Sequence, residues 1–336
     1  MHIAFFISED WEAEFVRNSA IGDGNEFTFI KGPLTHDTLP EDRSVEGISV
    51  FIDSTVDRQM IELFPRLSFI TTRSTGFDHI DLEAARERGI TVMNVPTYGS
   101  NTVAEHAFAL LLSLSKRVPD GYEQVREGRG FNPHQLRGFD LLGRTLGVVG
   151  TGNIGRHAVM IGRGFGMEVL GFDPHPDEAF AHEQGMRYVG FEELLTTSDV
   201  VTFHVPYMEA THHMLNCGNI ETVKEGAVII NTSRGPIIET EALVEGLSQK
   251  RLRGVGLDVF EEEGIVKDEL SFLAHHLNET EHMRTLLANH ILIDHPDVIV
   301  TPHSAFNTEE ALKRIMQTTV DNIASSIAGD PQNSVT

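Results

Sequence analysis

The sequence predicts an α/β protein built from two parallel-sheet domains. Its length of 336 residues suits two domains of roughly 150 residues each. The first hundred residues alternate short apolar runs with polar helical stretches, the pattern of strands joined by crossover helices. A second alternating series begins at Thr145.

In the first series, strands are expected at Ile3–Ile7, Phe27–Ile30, Ile48–Ile52, Ser68–Thr71 and Thr91–Asn94, with helices near 55–64 and 81–88. Residues 101–116 are rich in Ala and Leu and close with Lys116, Arg117 and Pro119, which predicts a long helix. It is apolar over most of its circumference, so burial between domains or subunits is expected. A polar, glycine-containing connector is expected at 119–140. In the second series, strands are expected at 145–149, 168–172, 199–204, 227–231, 254–258 and 298–301. Helices are expected at 153–165, 191–197, 239–250 and 308–328. The segment 264–296 reads as a polar, helical insertion. Its histidines His275, His276, His282, His290 and His295 lack tight ligand spacing, so solvated helix faces are expected rather than a metal site.

Apolar residues make up 40% and charged residues 23%, enough for a sizeable core. No apolar run approaches the ~20 residues of a membrane span. The N-terminus lacks a cationic region and meets acids at once, so it reads as a first strand rather than a signal peptide. Cys217 is the only cysteine, which suits a reducing, cytoplasmic setting. A small filler role is expected of it. The net charge of −24 disfavours nucleic acid and anionic membrane as partners. An anionic substrate would therefore need a local cation.

Residues 145–155, TLGVVGTGNIG, place Gly150, Gly152 and Gly155 in a G-x-G-x-x-G pattern between a strand-like and a helix-like run. Gly150 permits the tight turn, Gly152 lets backbone approach a pyrophosphate, and Gly155 allows close helix–strand packing. The helix N-terminus then offers N–H groups to the phosphates. The next strand ends at Asp173, placed to accept hydrogen bonds from ribose hydroxyls and to repel a 2′-phosphate. This favours NAD over NADP. Gly162, Gly164 and Gly166 have the wrong spacing and no preceding strand.

Three later strands end in groups with chemical potential. The run 227–230 leads into Asn231-Thr-Ser-Arg234-Gly235, whose arginine can hold a carboxylate at two points. The run Val255–Val259 carries Asp258 and is followed by Glu261, Glu262 and Glu263, at most one of which would escape an exposed acidic turn. The run 298–300 reads as a buried strand and leads to His303. With 17 histidines in the chain, a core or surface role is the ordinary expectation for one of them. A carboxylate bonded to the ring would instead fix its tautomer and make it an acid–base group. Together with a nicotinamide, such groups would interconvert a 2-oxo and a 2-hydroxy acid. These patterns leave open which of the three glutamates reaches His303.

Taken together, the segments Arg73–Asp81, Asn101–His106, Gly143–Gly155, Asn231–Gly235, Leu257–Glu261 and Thr301–His303 resemble the D-isomer-specific 2-hydroxyacid dehydrogenases, nearly end to end. The resemblance implies a flavodoxin-like substrate domain from 1–98 and 305–336, an NAD-binding Rossmann domain at 99–304, and a cleft that closes over substrate. It implies Arg234 as substrate holder, Glu263 as the partner of His303, and His303 as the acid–base group. Substrate would also meet the backbone N–H groups of Thr75 and Gly76 and the side chains of Tyr98 and Phe306. NAD would touch Thr102, Gly150, Gly152, Asn153, Ile154, Gly155, Asp173, Val205, Pro206, Thr232, Ser233, Asp258 and His303. The resemblance also implies a homodimer through the NAD-binding domain, in which the Asn101 helix would dock the second subunit. The sequence looks most like the D-lactate dehydrogenase branch, with pyruvate as substrate. Alternatives are a hydroxypyruvate or glyoxylate reductase of the same family and an NAD(H)-sensing, corepressor-like binding protein. Formate dehydrogenases are disfavoured, because they have glutamine where Glu263 stands. Gly99-Ser100, Pro236 and Ser304 depart from the branch's usual residues and bear on pyruvate specificity.

Overall fold

The computed structural model describes residues 1–128, 130–263 and 280–336. The chain divides into two compact units, Met1–Tyr98 with Asn307–Thr336, and Gly99–Phe306.

The first unit contains β1 (His2–Ile7), α1 (Asp10–Arg17), β2 (Glu26–Lys31), β3 (Gly47–Val50), α2 (Arg58–Glu62), β4 (Phe69–Thr72), α3 (Leu82–Glu87) and β5 (Thr91–Met93). The C-terminal helix, Glu309–Ile327, also belongs to it. The strands form a parallel sheet in the order β2-β1-β3-β4-β5. Successive residues of a strand face opposite sides, and here both sides are covered. Ala4, Phe6, Ile48, Val50 and Ile70 pack with Met60 and Ile61 of α2 and with Ala84 and Ala85 of α3. Ile3, Phe5, Ile7 and Phe69 pack with Val16 of α1 and with Met316, Val320 and Ile323 of the C-terminal helix. Strands buried on both faces read as continuous apolar runs, which is why they were legible. Helix α1 falls outside the expected elements. Its inward stripe is Glu12, Ala13 and Val16, and the glutamate breaks the apolar pattern. Glu12 is tolerated inside because it lies 3.4 Å from the buried guanidinium of Arg73 and accepts the N–H groups of Ser8 and Glu9.

The second unit runs α4 (Ser100–Lys116), α5 (Val118–Arg126), β6 (Thr145–Val149), α6 (Asn153–Gly164), β7 (Glu168–Phe172), α7 (Glu178–Gln184), β8 (Arg187–Tyr188), α8 (Phe191–Thr197), β9 (Val200–Phe203), β10 (Ala227–Asn231), α9 (Thr240–Ser248), β11 (Leu252–Leu257), α10 (Thr280–Asp294) and β12 (Val298–Val300). Its seven-stranded sheet has the order β12-β11-β10-β9-β6-β7-β8, and every pairing is parallel. The strand order reverses beside β6, between β7 and β9. Ligands of open α/β sheets bind outside the carboxyl ends of the strands at such a switch point.

Three expectations change. Residues 119–140 are not a bare connector, since α5 and a 3₁₀ turn at Pro133–Gln135 form there. Pro119, which ends one helix in the sequence pattern, sits in the first turn of the next, where a missing N–H costs nothing. Helix α4 buries Ala104, Ala107, Leu111 and Leu114 within its own unit, against Val159 and Leu146 and against Val228 and Ile230, so a second subunit is not needed to explain its apolar face. Strand β12 is half-buried rather than buried, because it is the edge of the sheet. No helix among the described residues is long and apolar enough to cross a membrane.

Candidate active site

All strands of the second sheet run parallel, so their carboxyl ends share one edge. At that edge β10, β11 and β12 lie side by side, with Asn231 paired to Leu257 and Leu257 paired to Val300. The segments that follow them carry Arg234, Glu261–Glu263 and His303.

Asn231 shapes the first of these segments. Its side chain accepts from Ser233 N (3.0 Å) and Oγ (2.7 Å) and donates to Arg234 O (2.9 Å). Arg234 is half-buried, and its Nη1 donates to Ser233 O at 2.8 Å. A side chain on Gly235 would lie 1.9 Å from Phe260 O. Only glycine lets the arginine segment close onto the glutamate segment.

At most one of the three glutamates was expected to escape an exposed turn, and all three do. All are half-buried, and each meets a different histidine. Glu261 accepts from His213 Nε2 at 2.6 Å and from Thr240 N and Oγ1 at 2.7 and 2.8 Å, which ties the loop to the start of α9. Glu262, at φ 56°, bonds His282 of α10, whose side chain stays 45% exposed on its helix face. Glu263 Oε2 lies 2.9 Å from His303 Nδ1. Of the insertion's other histidines, His275 and His276 lie outside the described residues, and His295 Nδ1 accepts from Asp297 N at 3.1 Å.

His303 sits at φ 51°, a left-handed conformation costly for a side chain. The strain is held by Asp258. Its carbonyl accepts His303 N (2.9 Å), and its carboxylate accepts Ser304 N (2.9 Å), Ala305 N (2.8 Å) and Thr301 Oγ1. Asp258 is 1% exposed. Burial works against its charge, but the bonds from His106, Thr301, Ala305 and Ser304 outweigh burial and hold the carboxyl below its ordinary value. Asp258 therefore clamps the loop that presents the imidazole. Carboxylates only accept, so the proton between His303 and Glu263 belongs to Nδ1 and the lone pair of the neutral ring to Nε2.

At the switch point the chain is shaped for a dinucleotide. Gly150 has φ 87°, and a side chain on Gly155 would lie 1.9 Å from Gly150 O. Gly152 faces open space beside the first turn of α6, where no side chain caps the helix. Asn153 is exposed and Ile154 half-buried in that turn. Val205 packs within 2.7 Å of where a Gly150 side chain would stand, and exposed Pro206 follows. Thr232 Oγ1 is shielded from solvent and has no hydrogen-bond partner among the described residues. Asp173 ends β7, half-buried, and accepts from Thr151 N (2.8 Å) and His175 N (2.9 Å). Thr102 is buried in the first turn of α4. An uncapped helix start, an open glycine, a strand-end acid and an orphaned hydroxyl suit NAD.

His204, beyond β9, was not anticipated. Its Nε2 is 3.0 Å from Thr202 Oγ1, while Nδ1 is shielded and has no hydrogen-bond partner among the described residues. Burial pushes the ring from 6.5 down to about 4. The unfolded chain therefore takes up this proton first. The associated stability is complete above pH 6.5 and is lost as the pH falls toward 4, by roughly 2 kcal/mol after allowing for partial solvent screening. Urea melts across that window are expected to show a shallower acid loss for His204→Gln than for the parent. Identical slopes would refute the assignment.

In the first unit, the turn after β4 carries Ser74, Thr75 and Gly76. Their carbonyls accept from Val95 N (3.0 Å), Asn94 Nδ2 (2.8 Å) and Ser74 Oγ (2.6 Å). The N–H groups of Thr75 and Gly76 are free of hydrogen bonds among the described residues. The Tyr98 carbonyl accepts from Arg314 Nε. Phe306 is half-buried at the end of the second unit.

Comparison with known proteins agrees with this geometry. Residues 108–305 match the family model "D-isomer specific 2-hydroxyacid dehydrogenase, NAD binding domain". The D-lactate dehydrogenase of Escherichia coli K12 is 33% identical over 332 residues, 98% of each chain. A glyoxylate reductase of Korarchaeum cryptofilum is 33% identical over 297 residues, 87% of this chain and 83% of that protein. The crystal structure of Aquifex aeolicus D-lactate dehydrogenase, complexed with NAD and lactic acid, superposes with a TM-score of 0.86 at 34% identity, covering 99% of this chain and 98% of that one. The chain belongs to the D-isomer-specific 2-hydroxyacid dehydrogenase family, NAD-dependent oxidoreductases acting on the CH–OH group of 2-hydroxy acids. Within that family its place is the D-lactate dehydrogenase branch.

Proposed function

We propose that the protein reduces a short 2-oxo acid, pyruvate foremost, to the D-2-hydroxy acid, and runs the reverse reaction. The observation that carries this is the His303–Glu263 pair, 2.9 Å long, on the sheet edge that also bears Arg234 and the dinucleotide cradle. The Arg234 fork holds the substrate carboxylate, and the guanidinium polarises the neighbouring carbonyl. Phe306 packs against the small side chain. Gly150, Gly152, Asn153, Ile154 and Gly155 receive the pyrophosphate, Asp173 the adenosine ribose, and Thr102, Val205, Pro206, Thr232 and Ser233 the rest of the dinucleotide. Bound there, the nicotinamide supplies a hydride to the carbonyl carbon, or accepts one in reverse. Protonated His303 gives its Nε2 proton to the carbonyl oxygen in reduction and takes it back in oxidation. Glu263 stabilises the charged ring and fixes its tautomer. Asp258 keeps the ring's backbone in its strained conformation.

The glyoxylate reductase among the relatives supports a second substrate, and Gly99-Ser100, Pro236 and Ser304 fall where specificity would differ. A panel of pyruvate, glyoxylate and hydroxypyruvate with NADH and with NADPH decides this, read by loss of reduced-coenzyme absorbance and by product chirality. The expected result is NADH-dependent formation of D-lactate with the highest kcat/KM for pyruvate. A higher value for glyoxylate or hydroxypyruvate would move the substrate. NADH binding without turnover of any acid would favour a cofactor-sensing protein.

A further inference from the structure

Asp173 does not stand alone at the end of β7. Its Oδ2 accepts from both Thr151 N (2.8 Å) and Thr151 Oγ1 (3.2 Å). Thr151 Oγ1 is in turn 2.8 Å from Tyr188 Oη, and Tyr188 Oη is 3.2 Å from Asp177 N. Donor chemistry sets the direction of this chain. A carboxylate only accepts, so the single Thr151 hydroxyl proton goes to Asp173. The Thr151 oxygen must then accept from Tyr188, and the Tyr188 oxygen accepts the Asp177 N–H. Every proton points toward Asp173. The far end is rigid, because Asp177 caps α7 through Phe180 N (3.0 Å) and accepts from Arg156 Nη2 of α6 (2.6 Å).

The meeting of Thr151 with Tyr188 also depends on a missing side chain. Between them, on β7, lies Gly171. A Cβ there would stand 3.2 Å from both Thr151 Cγ2 and Tyr188 Cδ1, and 2.3 Å from Met186 Cε. Thr151 is 4% exposed, so its hydroxyl proton has protein partners rather than bulk water.

We propose that Thr151 and Tyr188 form a polarised relay that fixes the Asp173 carboxylate, and that they are positioning residues for the choice of NAD over a 2′-phosphorylated dinucleotide. This rests on the assignment of Asp173 to the adenosine ribose. A carboxylate held in one orientation offers its remaining lone pairs to the 2′- and 3′-hydroxyls and presents an immovable negative charge to a 2′-phosphate. Without the relay, Asp173 keeps the Thr151 N–H on Oδ2 and the His175 N–H on Oδ1 but loses the hydroxyl bond that completes the shell of Oδ2. Held by two donors instead of three, it meets the ribose less well and yields more readily to a phosphate.

The test is titration of NADH and NADPH by fluorescence on the full chain, alongside steady-state kinetics. Thr151→Val and Tyr188→Phe keep shape and remove only the hydroxyl. Each is expected to weaken NADH about tenfold while NADPH binds as before or better, so the NADH:NADPH affinity ratio falls about tenfold. The KM for the oxo acid at saturating NADH stays within about twofold. Thr151→Ser retains the donor and is expected to retain the parent ratio. An unchanged ratio in Thr151→Val, or an equal fall in Thr151→Ser, overturns the relay. If Tyr188→Phe fails to fold, the Val and Ser pair at 151 decides. A parent that binds NADH yet reduces no oxo acid would sink the proposed reaction while the affinity ratios still judge the relay. A parent preferring NADPH would overturn both the cofactor assignment and the relay.

Discussion

His303→Ala is expected to lower kcat by roughly a thousandfold, with little change in the KM for the oxo acid or the affinity for NADH. Every proton passed to or from the substrate oxygen is assigned to Nε2 of this one ring. Its neighbours cannot replace it, because Glu263 faces Nδ1 and the Asp258 carboxylate is engaged by Thr301, Ser304 and Ala305. Glu263→Gln is a milder version of the same change. An amide can present an N–H to Nδ1, which forces the wrong tautomer, and it cannot stabilise the charged ring. Its turnover is expected to fall about a hundredfold. The measurement is kcat and KM against pH for the parent and both variants. A His303→Ala enzyme keeping more than about a tenth of parental turnover would remove the imidazole from the mechanism.

Arg234→Ala is expected to act on the other kinetic parameter, raising the KM for the oxo acid by roughly a hundredfold or more. The net charge of −24 makes the surrounding field hostile to a carboxylate, so a cation placed at the site has no long-range help. The substitution leaves the Asn231 bonds to Ser233 and to the residue-234 carbonyl in place, which keeps the segment folded. Arg234→Lys restores charge without the planar fork and is expected to recover only part of the loss. NADH affinity, measured separately, should not move. A large loss of NADH binding with an unchanged substrate KM would show that the guanidinium serves the cofactor instead.

Much of this protein was legible because its constraints are local or repetitive. Strands buried on both faces, such as Ile3–Ile7 and 227–230, write themselves as unbroken apolar runs. Gly150, Gly152 and Gly155 carry backbone demands that a few adjacent residues state in full. In a parallel sheet all strands end at one edge, so Arg234, Asp258 and His303, each following an apolar run, could be placed near one another before any coordinates.

Other features came from contacts between segments far apart in sequence. The residue patterns left Glu261, Glu262 and Glu263 open, and the family resemblance alone selected the third. In the folded chain the left-handed turn at Glu262 sends the three side chains to His213, His282 and His303, on three different segments. Helix α1 was hidden because its buried Glu12 is matched by Arg73, 61 positions away. The relay through Thr151 and Tyr188 joins residues 37 apart on different elements. The sequence by itself determined the fold class, the family and the kinds of groups at the sheet edge, since those follow from periodicity and short-range backbone demands. The tertiary structure alone decided which acid meets which base and which hydroxyl steadies which carboxylate. Those pairings depend on the directions of side chains across the fold, and no local pattern encodes them.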